Sequence, residues 1–474
     1  MAHTACEYEM TAGLETHAEL STETKIFCGC STAFGGEPNT RCCPVCMGMP
    51  GVLPSLNRRA VEFAVLAGLA VNCTINLYSR MDRKNYSYPD LPKAYQITQF
   101  DLPICENGWI RLRNGRAIRI RRIHIEEDAG KLIREGDSVR IDYNRCGVPL
   151  IEIVTEPDIR SPEEAREYVE ELQKILRYLG VSDCRMQEGS LRCDVNLSMR
   201  RKGDAALGRR TEIKNMNSLS NMVKAMEYEA GRQISLLDEG KTVPMETLRF
   251  DAVAGRTEPM RGKEGADDYR YFPEPDVPPI FLKAEEVEAL RKSLPELPGE
   301  KYRRYTEELR LPEADALLLV KYRRVAEYFE EASKGCETVK TAANWILGPL
   351  FARISTETEK EHFTPPVSAS QLRELLLLLE KGTVSMHMAK RALEKMLDTG
   401  RPCKDFLSGE ELSPFTEEEL ENACRKAIEN LPQAAKDYRN GKTKALKALV
   451  GAVMRSAGGR ASAPAAEALL KRLL

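Results

Sequence analysis

Two acidic side chains and an imidazole alternate near the N-terminus, in the segment GLETHAEL (residues 13–20). The pattern predicts a strand, with Glu15, His17 and Glu19 on one face and the intervening residues on the other. A face of this kind is either solvated or binds a cation through its oxygen and nitrogen ligands. From this segment alone a solvated face is favoured over a cation site. The choice between the two therefore depends on the other segments that carry acidic side chains.

A lone carboxylate interrupts the apolar segment PLIEIV (residues 149–154). Burying an ionised carboxylate is costly unless a cation or a hydrogen-bonding partner compensates it. Glu152 is therefore a candidate functional residue, although an internal ion pair with an arginine is an open alternative.

Three successive acids follow a third predicted strand, in HIEEDAGK (residues 124–131). Alternation places Glu126 on the side of His124 and Glu127 on the side of Ile123 and Ile125. A solvated loop is one interpretation of these acids. The other is a magnesium site, because Mg²⁺ prefers oxygen ligands completed by water and phosphate.

Four cysteines form two close pairs, Cys28 with Cys30 and Cys43 with Cys46. Thiolates at such spacing favour tetrahedral zinc, and four of them leave no open coordination position, so the site would be structural. Cys42 could substitute for Cys43, and free buried thiols are the alternative interpretation. The other cysteines are scattered singly, which favours a reducing compartment over a disulfide scaffold.

The segment DRKNYSYPDLPKAYQ (residues 82–96) mixes cations, amides and aromatic rings, and its prolines predict a loop. Such residues can hold phosphates and stack a base. The chain has no GxxxxGK[ST] motif and no protein-kinase signature. ATP binding therefore does not follow from a familiar phosphate loop.

The elements that must position these residues are mostly β in the first part of the chain. Asn-Gly pairs at Asn107 and Asn114 predict hairpins, residues 57–71 predict a buried helix with Asn57 as N-cap, and Ser161 with Pro162 begins another. After a proline-rich stretch (residues 272–279) the pattern is helical, with predicted caps at Ser368, Ser385 and Thr416. The sequence thus predicts an α+β protein.

Length and charge set further limits. A chain of 474 residues suggests two to four domains, and its net charge of −2 excludes a uniformly basic nucleic-acid-binding protein. No secretory signal or membrane span is apparent, so we expect a cytoplasmic protein. The last fifty residues (425–474) differ, with 11 Lys/Arg against 3 acids. This basic segment is either a solvated face or a contact for a phosphate backbone.

Several long segments together resemble the GatB/GatE family, the tRNA-handling components of the aspartyl/glutamyl-tRNA(Asn/Gln) amidotransferases. The similar segments occur in order along the chain: residues 13–20, 50–57, 82–99, 124–131, 149–165, 188–196, 212–218 and 267–276. The resemblance extends from about residue 7 to the C-terminus.

The resemblance implies three domains. The first is a cradle built on antiparallel sheet, similar to the catalytic part of glutamine synthetase, over residues 1–293 with the zinc knot at 28–46. A helical domain over 294–407 and a small α-helical, basic, tRNA-binding tail domain over 408–474 follow it.

The resemblance also implies an activity and its residues. ATP would phosphorylate the side-chain carboxylate of misacylated Glu-tRNA(Gln) or Asp-tRNA(Asn), and ammonia from a partner would displace the phosphate. The partners implied are the amidase (glutaminase) GatA and the small protein GatC, in a heterotrimer. The implied catalytic Mg²⁺ ligands are Glu15, His17, Glu127 and Glu152, and the implied zinc ligands are Cys28, Cys30, Cys43 and Cys46. Candidate residues for binding ATP are Arg83, Lys84, Lys93, Asp194, Glu212 and Lys214.

Two rival functions remain open from the sequence. One is a non-catalytic, zinc-containing tRNA-binding module in which the acids are only solvated or structural. The other is a self-sufficient ligase that amidates free glutamate without tRNA.

Overall fold

The structure is a computed structural model that describes residues 7–260, 269–337, 339–354, 356–407, 416–457, 461 and 463–474. The chain divides into two compact units, Met1–Leu297 and Pro298–Leu474. Strands and helices mix in the first unit and helices make up the second, which confirms the predicted α+β class. Among the described residues, no helix is long and apolar enough to cross a membrane.

The strands described by the structure all lie in the first unit. They are β1 (Tyr8–Glu19), β2 (Thr74–Ile75), β3 (Tyr78–Ser79), β4 (Asp82–Asn85), β5 (Tyr95–Thr98), β6 (Cys105–Arg111), β7 (Ala117–Glu127), β8 (Lys131–Glu135), β9 (Ser138–Asp142), β10 (Pro149–Thr155), β11 (Leu191–Arg201), β12 (Thr211–Met216), β13 (Thr247–Asp251), β14 (Arg256–Pro259), β15 (Phe272–Pro273) and β16 (Ile280–Phe281).

Nine of these strands form one sheet in the order β14-β13-β12-β11-β1-β10-β7-β6-β2. All its pairs are antiparallel except β12 with β13, which run parallel. The expectation of an antiparallel sheet is therefore wrong at this one pair, because helix α3 (Leu219–Asp238) returns the chain before β13 begins.

Of the helices that the structure describes, four belong to the first unit and eleven to the second. They are α1 (Arg58–Ala70), α2 (Pro162–Leu179), α3 (Leu219–Asp238), α4 (Ala284–Lys292), α5 (Pro298–Glu307), α6 (Glu313–Val320), α7 (Arg323–Ser333), α8 (Val339–Trp345), α9 (Glu357–His362), α10 (Ala369–Glu380), α11 (Met386–Thr399), α12 (Glu417–Asn430), α13 (Pro432–Arg439), α14 (Leu446–Ser456) and α15 (Ala463–Leu473). A π-helix (Ile346–Leu350) follows α8.

The predicted helix starts agree with the structure. The Asn57 side chain caps α1 by accepting from the Arg59 N–H at 2.9 Å, and the Ser161 side chain caps α2. Ser368, Ser385 and Thr416 cap α10, α11 and α12. These caps satisfy backbone N–H groups that have no partner within the helix, which is why they were recognisable from local sequence.

One of the two predicted hairpins is wrong. Gly115, with φ +86°, turns the chain from β6 into β7 as expected. Asn107 and Gly108 instead lie inside β6. A side chain at Gly108 would meet Val71 O at 2.7 Å, so glycine here permits a close approach of the β6 backbone to the end of α1 rather than a turn.

Alternation along β1 separates a core face from a polar face. Leu14, Thr16 and Ala18 are fully buried in the core, where α1, α2 and α3 pack against the sheet. Glu15, His17 and Glu19 take the opposite face, as predicted. The sheet thus presents a polar surface whose strands fix the spacing of every side chain on it.

The helical unit contains two further apolar clusters. One is built from α5–α11 and its connections, and the other from α12–α15. Residue 408, where the tail domain was predicted to begin, lies outside the described residues.

Glu229 on α3 stabilises the edge of the sheet and provides a stability prediction. Its carboxylate is 0% exposed and accepts hydrogen bonds from Thr211 and Thr257 side chains at 2.9 and 3.1 Å, as well as from Arg232. We expect Glu229→Ala to lower the free energy of unfolding by about 3–5 kcal/mol, because it leaves buried donors without their acceptor and removes one of the two carboxylates that pair with Arg232. Urea unfolding followed by circular dichroism measures this. Glu227→Ala, on the exposed face of α3, is the matched control, and an equal loss in both variants would contradict the explanation.

Candidate active site

Three adjacent strands bring His17, Glu126 and Glu152 together in what we call the histidine cluster. His17 lies opposite Glu152 across β1 and β10, and Glu152 lies opposite His124 across β10 and β7. The His17 Nε2 atom is 3.6 Å from the Glu126 carboxylate and 3.5 Å from that of Glu152. One ligand atom from each of the three residues lies within 4.8 Å of the others, which is close enough to share a cation.

His124, on β7, also contacts Glu152 and orients its carboxylate. Its Nε2 atom is 3.0 Å from the Glu152 carboxylate, and its Nδ1 atom is buried with no hydrogen-bond partner among the described residues. A histidine that contacts a metal-binding carboxylate from behind holds that carboxylate in one orientation.

The histidine cluster attracts positive charge. Burial opposes ionisation of His17, but the hydrogen bond to Glu152 and the charges of Glu152 and Glu126 raise its pKa to about 9. Burial also opposes ionisation of Glu152, yet the charge of His124 and the hydrogen bonds from both histidines hold its pKa well below the usual range. The electrostatics therefore fit a site for a proton or a metal cation.

Glu127, one of the four predicted magnesium ligands, does not lie in this cluster, and its role as a ligand stays a prediction. Its carboxylate accepts from Lys93 Nζ at 2.6 Å and from the Ile97 N–H at 2.9 Å. Strand alternation is the reason: Glu127 faces the side opposite to Glu126. Glu126 is the acid that alternation alone places beside His124 and, through β10, beside Glu152.

Glu15 belongs to a second group, the aspartate cluster, with Asp194 and Glu212. Glu15 lies opposite Asp194 across β1 and β11, and ligand atoms of the three acids lie within 4.8 Å of one another. The Lys214 Nζ atom is 3.0 Å from Glu212 and 3.7 Å from Asp194. Burial and the charge of Glu152 raise the pKa of Glu15, so the two clusters are electrostatically coupled.

The two clusters open on one groove of about 1040 Å³. Glu15, Glu126 and Glu152 line it together with five cationic side chains: Lys84, Arg121, Arg122, Arg209 and Arg210. Acids that can bind a cation and arginines that can bind phosphate thus line the same space.

The three cations predicted from the loop segment have different roles in the structure. Lys84 lines the groove. Arg83 is engaged elsewhere, with Nε 2.6 Å from Glu274 and Nη2 3.1 Å from Asp276. Lys93 pairs with Glu127. Of the three, only Lys84 is available to a ligand in the groove without breaking an ion pair described here.

Cys28, Cys30, Cys43 and Cys46 converge, with their Sγ atoms within 4.8 Å of one another. The hydrogen bond from Cys28 lowers the pKa of Cys46 to about 4, although burial opposes it. Cys42 points away, with its Sγ atom 3.2 Å from Asn39 O. Four converging soft donors match a tetrahedral metal site that is closed to substrate.

Sequence reasoning missed several residues of the groove. Glu126 was recognisable from alternation, since it shares a face with His124. Arg122, Arg209 and Arg210 carried no local signal, because only the pairing of β7 and β12 with their neighbours brings their segments to the groove.

Comparisons with family models and with known proteins identify the same family. The GatB/GatE catalytic domain model matches residues 10–288, and the GatB domain model matches residues 327–474. The chain is 51% identical to the B subunit of the aspartyl/glutamyl-tRNA(Asn/Gln) amidotransferase of Caldicellulosiruptor saccharolyticus over 99% of both chains. It is 50% identical to the protein of that name from Thermoanaerobacter sp., again over 99% of both, and 47% identical to the one from Clostridium tetani over 96% of both. These matches cover both units, and the chain therefore belongs to the GatB/GatE family of the tRNA-dependent amidotransferases.

Proposed function

We propose that this chain uses ATP to phosphorylate the side-chain carboxylate of Glu-tRNA(Gln), Asp-tRNA(Asn) or both, and then amidates the product with ammonia. The observation that supports this most is the groove itself, which acids of both carboxylate clusters line together with arginines that can bind phosphate. The names of the relatives agree, since they are components of aspartyl/glutamyl-tRNA(Asn/Gln) amidotransferases. Under this proposal the polar face of the sheet is a catalytic cradle similar to that of glutamine synthetase.

The reaction needs activation because a carboxylate is a poor acyl donor: ammonia would have to expel an oxide. A carboxylate oxygen attacks the γ-phosphorus of ATP, ADP leaves, and an acyl phosphate results. Ammonia then attacks the acyl carbon, phosphate leaves, and the proton lost by nitrogen passes to solvent or to phosphate. No nucleophilic side chain of the protein is required, so positioning and charge stabilisation supply the catalysis.

The donor sets of both clusters fit Mg²⁺, a hard cation that takes oxygen ligands. His17, Glu126 and Glu152 would hold one ion, and Glu15, Asp194 and Glu212 a second. Magnesium bound there would neutralise charge on the phosphate oxygens. Glu15 and His17 are two residues apart on β1, so the clusters are roughly 7 Å apart along the strand.

The chain's own cations would complete the site. Arg209 and Arg210 immediately precede β12, which carries Glu212, and line the groove. Lys84 and Arg122 line it as well, and Arg122 is on β7, the strand that carries His124 and Glu126. Arginines in these positions can orient phosphate groups against the substrate carboxylate.

The other assignments from the sequence are part of the same proposal. The four-cysteine group would hold a structural zinc ion, which its donor set and closed geometry support. Residues 1–293, 294–407 and 408–474 would be the catalytic, helical and tRNA-binding domains. The ammonia would come from the amidase GatA, joined by the small protein GatC, in a heterotrimer.

The direct experiment is an amidation assay on the chain co-expressed with GatA and GatC. We expect Glu-tRNA(Gln) or Asp-tRNA(Asn) to be amidated only when Mg²⁺, ATP and glutamine are all present. A complex that binds the misacylated tRNA without hydrolysing ATP would instead support a non-catalytic tRNA-binding module. Amidation of free glutamate without tRNA would support a self-sufficient ligase.

A comparison of two adjacent acids tests the assignment of the histidine cluster. Glu126→Gln is expected to raise the Mg²⁺ concentration for half-maximal ATP turnover by roughly 10- to 100-fold, because it removes a ligand oxygen's charge. Glu127→Gln is expected to leave this Mg²⁺ dependence unchanged, since Glu127 pairs with Lys93 on the other side of the strand. Magnesium titrations of both variants measure the difference, and the reverse result would return Glu127 to the metal site.

A further inference from the structure

Two aromatic rings stack on each other at the wall of the groove. The Phe100 and Tyr271 rings have centroids 4.1 Å apart and planes inclined by 8°. Both residues line the groove, and Phe100 is 43% exposed. Because this stacked pair lies inside a polar groove and Phe100 is partly accessible, it offers an aromatic face on which a base can stack.

The pair continues into a row of rings with a cation above it. Tyr271 makes an edge contact with Tyr269 at 6.0 Å, and Tyr269 makes another with Tyr86 at 5.8 Å. The Lys84 ammonium lies 4.7 Å from the Tyr269 ring centroid. Aromatic faces for stacking, next to cations for phosphate, are the combination by which proteins bind single-stranded nucleic acid.

The row lies beside the histidine cluster. Tyr271 shares the groove with Glu126 and Glu152, and burial together with the charge of Glu152 raises the pKa of the Tyr271 phenol. The opposite wall of the groove, beside β12, is four strand spacings from β7, or about 19 Å. The groove therefore has its aromatic pair on the side of the histidine cluster, where Arg121 and Arg122 of β7 also lie, and has Arg209 and Arg210 on the side of β12.

We propose that the stacked pair Phe100–Tyr271 is the platform for the terminal adenine of the misacylated tRNA. This inference rests on the proposed function, in which the aminoacyl carboxylate reaches the acids of the groove. Only one ribose and the aminoacyl chain separate that carboxylate from the terminal base, so the base must lie beside the cluster. The adenine of ATP is separated from the reacting phosphorus by a ribose and two further phosphates, and those phosphates match Arg209 and Arg210, which line the groove beside β12.

The experiment uses the full-length chain and a tRNA(Gln) whose terminal adenine is replaced by 2-aminopurine, without any turnover. Stacking on a ring quenches 2-aminopurine fluorescence. We expect the wild-type chain to quench it, and Phe100→Leu and Tyr271→Leu to reduce binding of the terminal base roughly 10-fold. Tyr271→Phe keeps the ring and should keep the quenching. Phe281→Leu, which removes an exposed ring (73% exposed) outside the groove, is the matched control.

A parallel titration with 2-aminopurine riboside triphosphate distinguishes the two sources of a purine. Quenching of the triphosphate by the pair, with no effect on the tRNA, would overturn the proposal and assign the platform to ATP. Unchanged quenching of the tRNA in both leucine variants would also overturn it. Thermal unfolding midpoints equal to wild type show that the variants are folded. The assay measures binding and does not require amidation. Its result can therefore be interpreted even if the chain does not catalyse the proposed reaction.

Discussion

Replacing Glu152 by glutamine is expected to lower the rate of ATP-dependent amidation by about 1000-fold. Glu152 is the central acid of the histidine cluster, since it contacts His17 and His124 and has a carboxylate oxygen within 4.8 Å of one of Glu126. The amide has the same shape but no charge, so it removes an anionic ligand without creating a cavity. The measurement is the single-turnover rate of amidation at saturating ATP and tRNA.

The control for this variant is Glu170→Gln. Glu170 lies on α2, where its carboxylate pairs with Arg166 at the surface, and its replacement should leave the rate unchanged. Both variants should unfold at the wild-type temperature. A Glu152→Gln enzyme with wild-type kinetics would remove the histidine cluster from the reaction.

Replacing Cys43 by serine is expected to abolish metal binding at the four-cysteine group and to lower the thermal unfolding midpoint of the first unit. Structural zinc sites contribute on the order of 10 kcal/mol of binding free energy, and much of it is folding free energy. The Cys43–Cys46 turn contacts the rest of the first unit through Lys25, whose buried ammonium is 3.6 Å from Cys46 Sγ. Loss of the metal should therefore loosen this region rather than only the turn. Bound zinc per chain and differential scanning calorimetry measure both effects.

Cys42→Ser is the matched control, because Cys42 is adjacent in sequence but outside the converging group. It should retain one zinc ion per chain and the wild-type unfolding temperature. Equal loss in the two variants would show that the sulfur ligands are not the four assigned here, and no zinc in the wild-type chain would favour free thiols.

Periodicity predicted much of the site. The two-residue repeat of a strand placed Glu15, His17 and Glu19 on one face, and it also placed Glu126, not Glu127, beside His124. The resemblance to a family assigns Glu127 as a ligand, and that assignment stays a prediction, whereas the structure pairs Glu127 with Lys93 on the other face. The reason is physical: one step along a strand moves a side chain to the other face of the sheet.

Pairing between distant strands was beyond local prediction. Glu15 meets Asp194 only because β1 pairs with β11 in one register, 179 positions away along the chain. Glu15 therefore groups with Asp194 and Glu212, whereas His17, two residues further along β1, groups with Glu126 and Glu152. Position within the matched motifs had assigned Asp194 and Glu212 to ATP, and their contact with Glu15 became visible only in the fold.

The cations of the segment 82–96 were the least predictable part. Arg83, Lys84 and Lys93 look alike in sequence, yet Arg83 binds Glu274 and Lys93 binds Glu127. Each partner comes from a separate segment, so the sequence around the cation does not indicate it. A long, flexible lysine or arginine side chain can reach many carboxylates. Which of them it pairs with depends on the packed tertiary structure.

Transfer of oxygen is the most direct test of the central claim that the substrate carboxylate attacks ATP. Glu-tRNA(Gln) is prepared with ¹⁸O in its side-chain carboxylate, and the inorganic phosphate released during amidation by the assembled complex is analysed by mass spectrometry. An acyl phosphate intermediate requires that phosphate leave with one ¹⁸O atom from the carboxylate. Amidation accompanied by unlabelled phosphate would contradict the account.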